Sequence, residues 1–308
     1  MAKKTKSERQ AALEAAAIRA LTTWPRILPF RLRCRVVAAL MAWVVAPVAG
    51  YRARIRANLA HVMPDLPEAE VKRLMRRVPA NVGRMLTELA AGQDFLDLIR
   101  DEPFTGPGVA ALDAARAEGR PVIVVSGHFG NFDAMRGAMA MRGHQIGAIY
   151  RPLNDEALDA DFLAMLEAIA APIFPRGRSG LARMIRFLRQ GNAVAILPDQ
   201  YVNKGEILQF FGQPAPTAMS AAEMALKYRA LLVPVYGIRR GDGGFDLVVE
   251  EPVPHSDART MTQALNDSLE ARIRQNMDQW LWIHRRWKPE RQAKRAARQR
   301  AKAAAADS

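Results

Sequence analysis

From about residue 105 the chain alternates between short β-branched apolar runs and longer segments whose apolar positions recur every three or four residues. These two periodicities separate strand from helix. Strands are expected over 121–127, 145–150, 193–197 and 231–238, with a short one at 173–174 and a hairpin partner at 245–249. Helices are expected from about 130 to 141 and over 155–170, 181–190, 219–229 and 260–277. Strands alternating with helices imply an α/β fold, a mostly parallel sheet flanked by helices. Upstream, 54–86 has helical spacing broken by a turn between Pro64 and Pro67. The chain therefore divides into an amino-terminal helical region (1–104), an α/β domain (105–288) and a basic tail (289–308).

Residues 36–51, sixteen positions between Arg35 and Arg52, carry no charge. A full membrane span needs roughly 20 apolar residues, and Pro47 shortens the usable helix further. The long polar lead, with Trp24, Pro25 and Pro29, does not fit a secretory signal. Flanking arginines, with Trp24 and Trp43 suited to head-group level, favour a membrane-dipping or monotopic helix over a core helix. Charge supports the same direction: 45 Lys+Arg against 31 Asp+Glu give +14, which attracts anionic partners. Lys3, Lys4, Lys6 and Arg9 open the chain, and Lys294, Arg295, Arg298, Arg300 and Lys302 fall in its tail. Such ends are either solvated extensions or attach to anionic lipid. No zinc-finger spacing, helix-turn-helix pattern or aromatic-rich basic sheet motif is present, so nucleic acid is not an expected partner. The single cysteine, Cys34, excludes an internal disulfide and a cysteine-rich metal site. No His/Asp/Glu spacing suggests a catalytic metal, and no cofactor is expected.

The chemistry is concentrated where strands end. The run 122–125 stops at Ser126-Gly127, so His128 falls at the carboxyl end of a strand, where open α/β sheets place ligand sites. Asp133 follows five positions later, in the first turns of the next helix. On one continuous helix the two would point about 140° apart; with His128 in the turn they can converge. A histidine oriented by a carboxylate is a general base for a hydroxyl. The spacing alone also suits an ordinary acidic residue at a helix start. Further strand ends carry Tyr150-Arg151-Pro152, Arg176-Gly177 and Asp199-Gln200, which would surround one crevice. Arg151 and Arg176 suit phosphate or carboxylate groups. Asp199 either steadies one of those arginines or holds a substrate hydroxyl.

Several motifs in order resemble the late acyltransferases of bacterial lipid A biosynthesis, the lauroyl/myristoyl transferase family. They are Gly127-His128-Phe129-Gly130-Asn131-Phe132-Asp133, Tyr150-Arg151-Pro152-Leu153-Asn154, Leu197-Pro198-Asp199-Gln200, Phe210-Phe211-Gly212 with Thr217, and the segment from Gln279 to Lys288 that carries Trp280, Trp282 and Trp287. The likeness runs from roughly Arg35 to Lys288. It implies transfer of a fatty acyl group from acyl carrier protein, or sometimes coenzyme A, to the hydroxyl of a 3-hydroxyacyl chain on a phosphorylated glucosamine disaccharide. It also implies attachment to the cytoplasmic face of the inner membrane by an amino-terminal helix.

Under that resemblance His128 is the base and Asp133 the carboxylate that orients it, with direct attack on the thioester. Arg151, Arg176, Asp199, Gln200 and Asn131 are the substrate-binding candidates. Backbone amides around Gly130 and Asn131, or the guanidinium of Arg151, are candidate donors for the developing oxyanion. Phe210 and Phe211 either line an acyl-chain tunnel or pack a loop. Trp280 and Trp282 either meet the bilayer interface, with Arg285 and Arg286 on lipid phosphates, or pack against the domain. His144 and His284 have no visible carboxylate partner and are read as structural. Many family members have Trp and Glu where this chain has Phe132 and Asp133; the shorter acid demands a closer histidine, and the acceptor is less sharply defined. Other acceptors (ornithine lipid, glycolipid, lysophospholipid) remain alternatives, as does a basic membrane-coating protein without catalysis.

Overall fold

A computed structural model describes residues 27–290. The basic residues at 3–9, Trp24 and the tail beyond 290 lie outside the described residues.

The strands β1 (Phe104–Thr105), β2 (Val122–Val125), β3 (Ile146–Tyr150), β4 (Ile173–Pro175), β5 (Ala193–Ile196), β8 (Leu231–Arg239) and β9 (Phe245–Val249) form one sheet, ordered β1-β9-β8-β2-β5-β3-β4. Five neighbours, β8 to β4, run parallel. β9 is antiparallel to β8, and β1 runs parallel to β9. The central strands Val-Ile-Val-Val and Ala-Val-Ala-Ile are buried at every position, as expected for strands covered on both faces. A separate hairpin, β6 (Glu206–Phe210) with β7 (Gln213–Thr217), turns at Phe211-Gly212, both at positive φ.

Among the described residues the helices are numbered in chain order: α1 (Phe30–Leu40), α2 (Tyr51–Val62), α3 (Glu68–Ala91), α4 (Gln93–Ile99), α5 (Val109–Ala117), α6 (Phe132–Met141), α7 (Glu156–Ile169), α8 (Arg178–Arg189), α9 (Ser220–Tyr228) and α10 (Ala258–Gln275). α1 continues through a π-helical turn, Met41–Val45, into a last turn, Ala46–Val48. No single described helix is long and apolar enough to cross a membrane; α1 with its continuation and α2 pass together by length and composition but are bent by 83°. Val37, Ala38, Met41, Ala42 and Ala46 are buried on one side of this segment. Gly83 of α3 permits the close approach, since a Cβ there would lie 2.9 Å from the Val37 carbonyl oxygen and 2.8 Å from Met41 Cγ. On the other side Leu32, Trp43, Val44 and Val48 are exposed, Val48 to 88%. The uncharged segment is thus half core helix and half apolar surface.

The amino-terminal helices and the carboxyl-terminal segment share one apolar cluster. Ile55 and Leu59 of α2 and Val71, Leu74 and Val78 of α3 pack with Phe210, Phe211, Trp280, Trp282 and Trp287. Trp280 and Trp282 meet edge to face with ring centres 4.7 Å apart, a favoured aromatic geometry. The acyl-tunnel and bilayer readings of Phe210, Phe211, Trp280 and Trp282 are therefore corrected: all four are core residues. Arg286 is likewise fully buried, donating to the Pro216 carbonyl and to Thr217 Oγ1, so it does not reach a lipid phosphate.

Replacing Gly83 with valine should force α1 off α3 and lower stability by about 1–3 kcal/mol. Urea denaturation of the detergent-solubilised protein checks this; an unchanged midpoint would mean that α1 is not packed at this glycine.

Candidate active site

β2 and β5 are neighbours in parallel register, with Val125 opposite Ile196. Continuing both strands by three residues brings His128 level with Asp199. That pairing is realised: His128 Nδ1 lies 2.8 Å from Asp199 Oδ1, and the His128 amide donates to Asp199 Oδ2 at 2.8 Å. Trp280 Nε1 donates to the same Oδ2 at 2.9 Å. Desolvation alone would raise the Asp199 pKa, but the charge of His128 and these three hydrogen bonds bring it down to about 2. Asp199 is thus a buried anion at neutral pH.

An ionised Asp199 fixes the histidine tautomer, because Nδ1 must carry the proton that faces it. Nε2 is left with its lone pair outward, 3.1 Å from the exposed Gln200 amide nitrogen, which donates to it. Burial pushes the His128 pKa down, but the charge of Asp199 and its hydrogen bond, with a smaller contribution from Asp133, more than offset this and hold it above 6.5. The side chain keeps 24% of its surface exposed. Asp199 thus makes the imidazole more basic and leaves its outward nitrogen accessible.

Asp133 does not orient His128. It stands in the first turn of α6, buried, with Oδ1 accepting from Arg136 Nε at 2.9 Å; Arg136 also donates to the Ala170 and Leu166 carbonyls. Its influence on His128 is through-space charge. The expected His128–Asp133 hydrogen bond is replaced by His128–Asp199, and Asp199 takes neither of the roles expected for it. The reason lies in the turn. Gly130 has φ +59°, and a Cβ there would meet the Gly237 carbonyl oxygen at 2.0 Å. Its amide donates to the Gln279 carbonyl, and the Asn131 amide to the Gly237 carbonyl. The turn is pinned to β8 and to the segment after α10, which directs the imidazole across to β5.

Asn131 is also corrected. It is fully buried and caps α6, Oδ1 accepting from the Asp133 amide while Nδ2 donates to Glu88. Neither end is left for substrate. Because the Gly130 and Asn131 amides are both engaged, they are removed as oxyanion donors, and Arg151 remains of those considered. His284 accepts the Tyr201 amide at Nε2, and burial lowers its pKa to about 4; His144 is buried, with its pKa lowered by desolvation. Both fit structural roles. Among the described residues no group of three or more His, Cys, Asp and Glu is arranged to hold a metal ion.

His128 opens onto a cavity of about 560 Å³, within the size range of ligand sites. Its walls are mostly apolar, from Leu86 and Leu89 of α3, Met135 of α6, Ile149 of β3 and Phe162 of α7. Arg151, Arg176 and Gln200 stand at its edge, all exposed. Among the described residues neither arginine guanidinium has a hydrogen-bond or ion-pair partner. The strand-end residues do surround one crevice. Sequence reasoning missed Trp280 as a donor to Asp199 and Glu88 as the partner of Asn131: the aromatic motif carries Trp280 without indicating its partner, and no local motif marks Glu88.

A proton acceptor at the rim of an apolar cavity suits an enzyme acting on a substrate with a long hydrocarbon portion. The family profile of the bacterial lipid A biosynthesis acyltransferases matches residues 3–289, and the chain belongs to that family. It is an acyltransferase. A lipid A biosynthesis acyltransferase of Haemophilus influenzae is 21% identical over 262 residues, covering 83% of this chain and 81% of its own length. A lipid A biosynthesis lauroyltransferase of Escherichia coli K12 is 27% identical over 241 residues, 76% of this chain and 78% of its own. A phosphatidylinositol mannoside acyltransferase of Mycobacterium tuberculosis is 24% identical over 241 residues, 76% of each chain.

Asp199→Asn should reduce the rate by roughly 10²–10⁴ and move its acidic limb. If His128 is the base, wild-type activity should fall as pH drops through its raised pKa, where the imidazole becomes protonated. Without the carboxylate, burial dominates and that limb shifts to lower pH. Asp133→Asn should shift it less. A pH–rate profile in which Asp133→Asn moves the limb further than Asp199→Asn would reverse the assignment.

Proposed function

We propose that the protein transfers a fatty acyl group from an acyl carrier protein thioester to the hydroxyl of a 3-hydroxyacyl chain on a phosphorylated lipid A precursor. The observation that carries this reading is the Asp199–His128 pair, whose accessible Nε2 faces the apolar cavity. The acceptor hydroxyl displaces the Gln200 amide from Nε2 and gives up its proton there. Its oxygen attacks the thioester carbonyl, the ester C–O bond forms, the C–S bond breaks, and the imidazolium returns the proton to the departing thiolate. Arg151 stands at the cavity edge as donor to the transient oxyanion, while Arg176 serves a phosphate of either substrate. Asp199 holds the tautomer throughout and stabilises the imidazolium.

A second acceptor class has support of its own. A mycobacterial phosphatidylinositol mannoside acyltransferase is about as similar to this chain as the lipid A enzymes are, so a different phosphorylated glycolipid is the alternative. The assay uses detergent-solubilised protein, labelled acyl carrier protein thioesters of several lengths, and each acceptor in turn, with products resolved by mass. A gain of one acyl group on the lipid A precursor, reduced roughly 10²–10⁴-fold in His128→Ala, is the expected result. Transfer only to another glycolipid would keep the chemistry and overturn the acceptor. Undiminished transfer by His128→Ala would sink the mechanism.

The same reading puts the protein on the cytoplasmic face of the inner membrane. Leu32, Trp43, Val44 and Val48 make an exposed apolar stripe, and Arg52 and Arg76 lie 5.7 and 5.8 Å from the Trp43 ring centre, as suits an interfacial helix. Val44→Asp with Val48→Asp should release the protein from anionic vesicles in flotation without lowering its melting temperature. Flotation equal to wild type would remove this stripe as the anchor.

A further inference from the structure

α3 has a second functional face. Arg77, Asn81, Arg84 and Glu88 recur at steps of four, three and four, which aligns them along one side of a helix. They border a separate cavity of about 410 Å³, closed by Arg31, Cys34 and Arg35 of α1 and by Arg239 to Gly243 at the β8–β9 turn. Met85, Leu86 and Leu89, on the neighbouring side of α3, face the apolar cavity of His128 instead.

The charges of this second cavity do not balance. Each carboxylate in its wall already has an arginine: Glu88 binds both terminal nitrogens of Arg239, Asp278 accepts from Arg77 Nε at 2.7 Å, and Asp242 lies 3.4 Å from Arg240 Nε. Arg31, Arg35 and Arg84 are left over. Among the described residues Arg31 and Arg35 have no hydrogen-bond or ion-pair partner, and the Arg84 guanidinium makes one hydrogen bond, from Nη1 to the neutral Asn81 Oδ1 at 2.7 Å. Burial, and then the charges of Arg239 and Arg77, push the Arg84 pKa below that of an ordinary arginine. Cys34 supplies no negative charge, because burial and the nearby Glu88 raise its thiol pKa to about 12. Three guanidinium groups from two helices therefore face one recess without a counter-ion from the described residues.

We propose that this recess is a phosphate-binding site, distinct from the reaction cavity and held by Arg31, Arg35 and Arg84. The planar fork of a guanidinium matches the oxygens of a phosphate, and a multiply charged anion answers three cations better than a single carboxylate does. The ligand is a phosphate ester or a free phosphate. Its charge is satisfied without disturbing the Glu88–Arg239 pair, and so without disturbing the Asn131 cap that Glu88 supports.

The test is calorimetric titration of the full chain in uncharged detergent at fixed ionic strength, with inorganic pyrophosphate, a water-soluble short-chain phosphatidic acid, and succinate as a non-phosphate dianion. Binding of a phosphate probe, weakened roughly tenfold or more in Arg84→Gln and unchanged in Arg189→Gln on the exposed end of α8, is the expected outcome. Arg35→Gln, on the exposed side of α1, gives the same readout should Arg84→Gln fail to fold. Tighter binding of phosphatidic acid assigns the site to a lipid head group; tighter binding of pyrophosphate assigns it to a soluble phosphate. The site should persist in an Arg151→Gln, Arg176→Gln double variant, which separates it from the reaction cavity. Equal affinity for succinate, wild-type affinity in both Arg84→Gln and Arg35→Gln, or loss confined to the double variant would overturn the proposal.

Discussion

A carboxylate buried at the end of a parallel strand is costly to leave unpaired, and Asp199 is 4% exposed. Three donors make it tolerable, and they come from separate parts of the chain: two from the turn after β2 and one from Trp280 beyond α10. Satisfying that charge therefore fixes the β2–β5 register at its end, the direction of the turn that carries His128 and the seat of the carboxyl-terminal segment. An isolated bridge between Phe129 and Trp280, with the Leu281 amide donating to the His128 carbonyl, binds the same two segments through their backbones. The histidine is held in place by the anion beneath it, which requires these partners.

The surrounding architecture keeps polar chemistry at the strand ends and hydrocarbon in between. α3 shows the division within one element: its Leu86 and Leu89 complete an apolar wall, whereas Glu88, between them in sequence but turned away, closes a network through Asn131 and Arg239. The buried Asp133–Arg136 pair has a similar supporting place. Arg136 ties the start of α6 to the end of α7, and so holds a wall of the cavity in position.

The α/β alternation was legible because β-branched runs and helical periodicities are local signals, and 122–125, 193–197 and 231–238 all became central strands. His128 was legible for the same reason, since it directly follows a readable strand. Its carboxylate was not, because a five-residue spacing suggests a local partner while the real one is 71 positions away, set by strand order. Nothing in a single sequence states that β5 lies beside β2. The β6–β7 hairpin was missed because Pro214 and Pro216 argue against a strand; a two-stranded ribbon accommodates them, since each strand keeps one edge free of ladder bonds. The aromatic motifs were visible but ambiguous. The same rings serve a core or an interface, and only packing against α2 and α3 decides. Asn131 shows the converse error: a polar residue near His128 looks like a substrate contact, yet both ends of its amide are spent on holding the turn.

The joining of distant segments also bears on how the molecule comes into being. Asn58 of α2 donates to the carbonyls of Trp282 and His284, so the early helices are finished only when the late segment docks on them. Chains emerge from the ribosome amino-terminal end first. The apolar stripe of α1 is therefore available long before Trp280 exists to complete the hydrogen bonds of Asp199. A nascent chain passes through a stage at which that stripe is present while His128 still lacks a finished support. The stripe precedes the site, and the segment made last is the one that completes the support of His128.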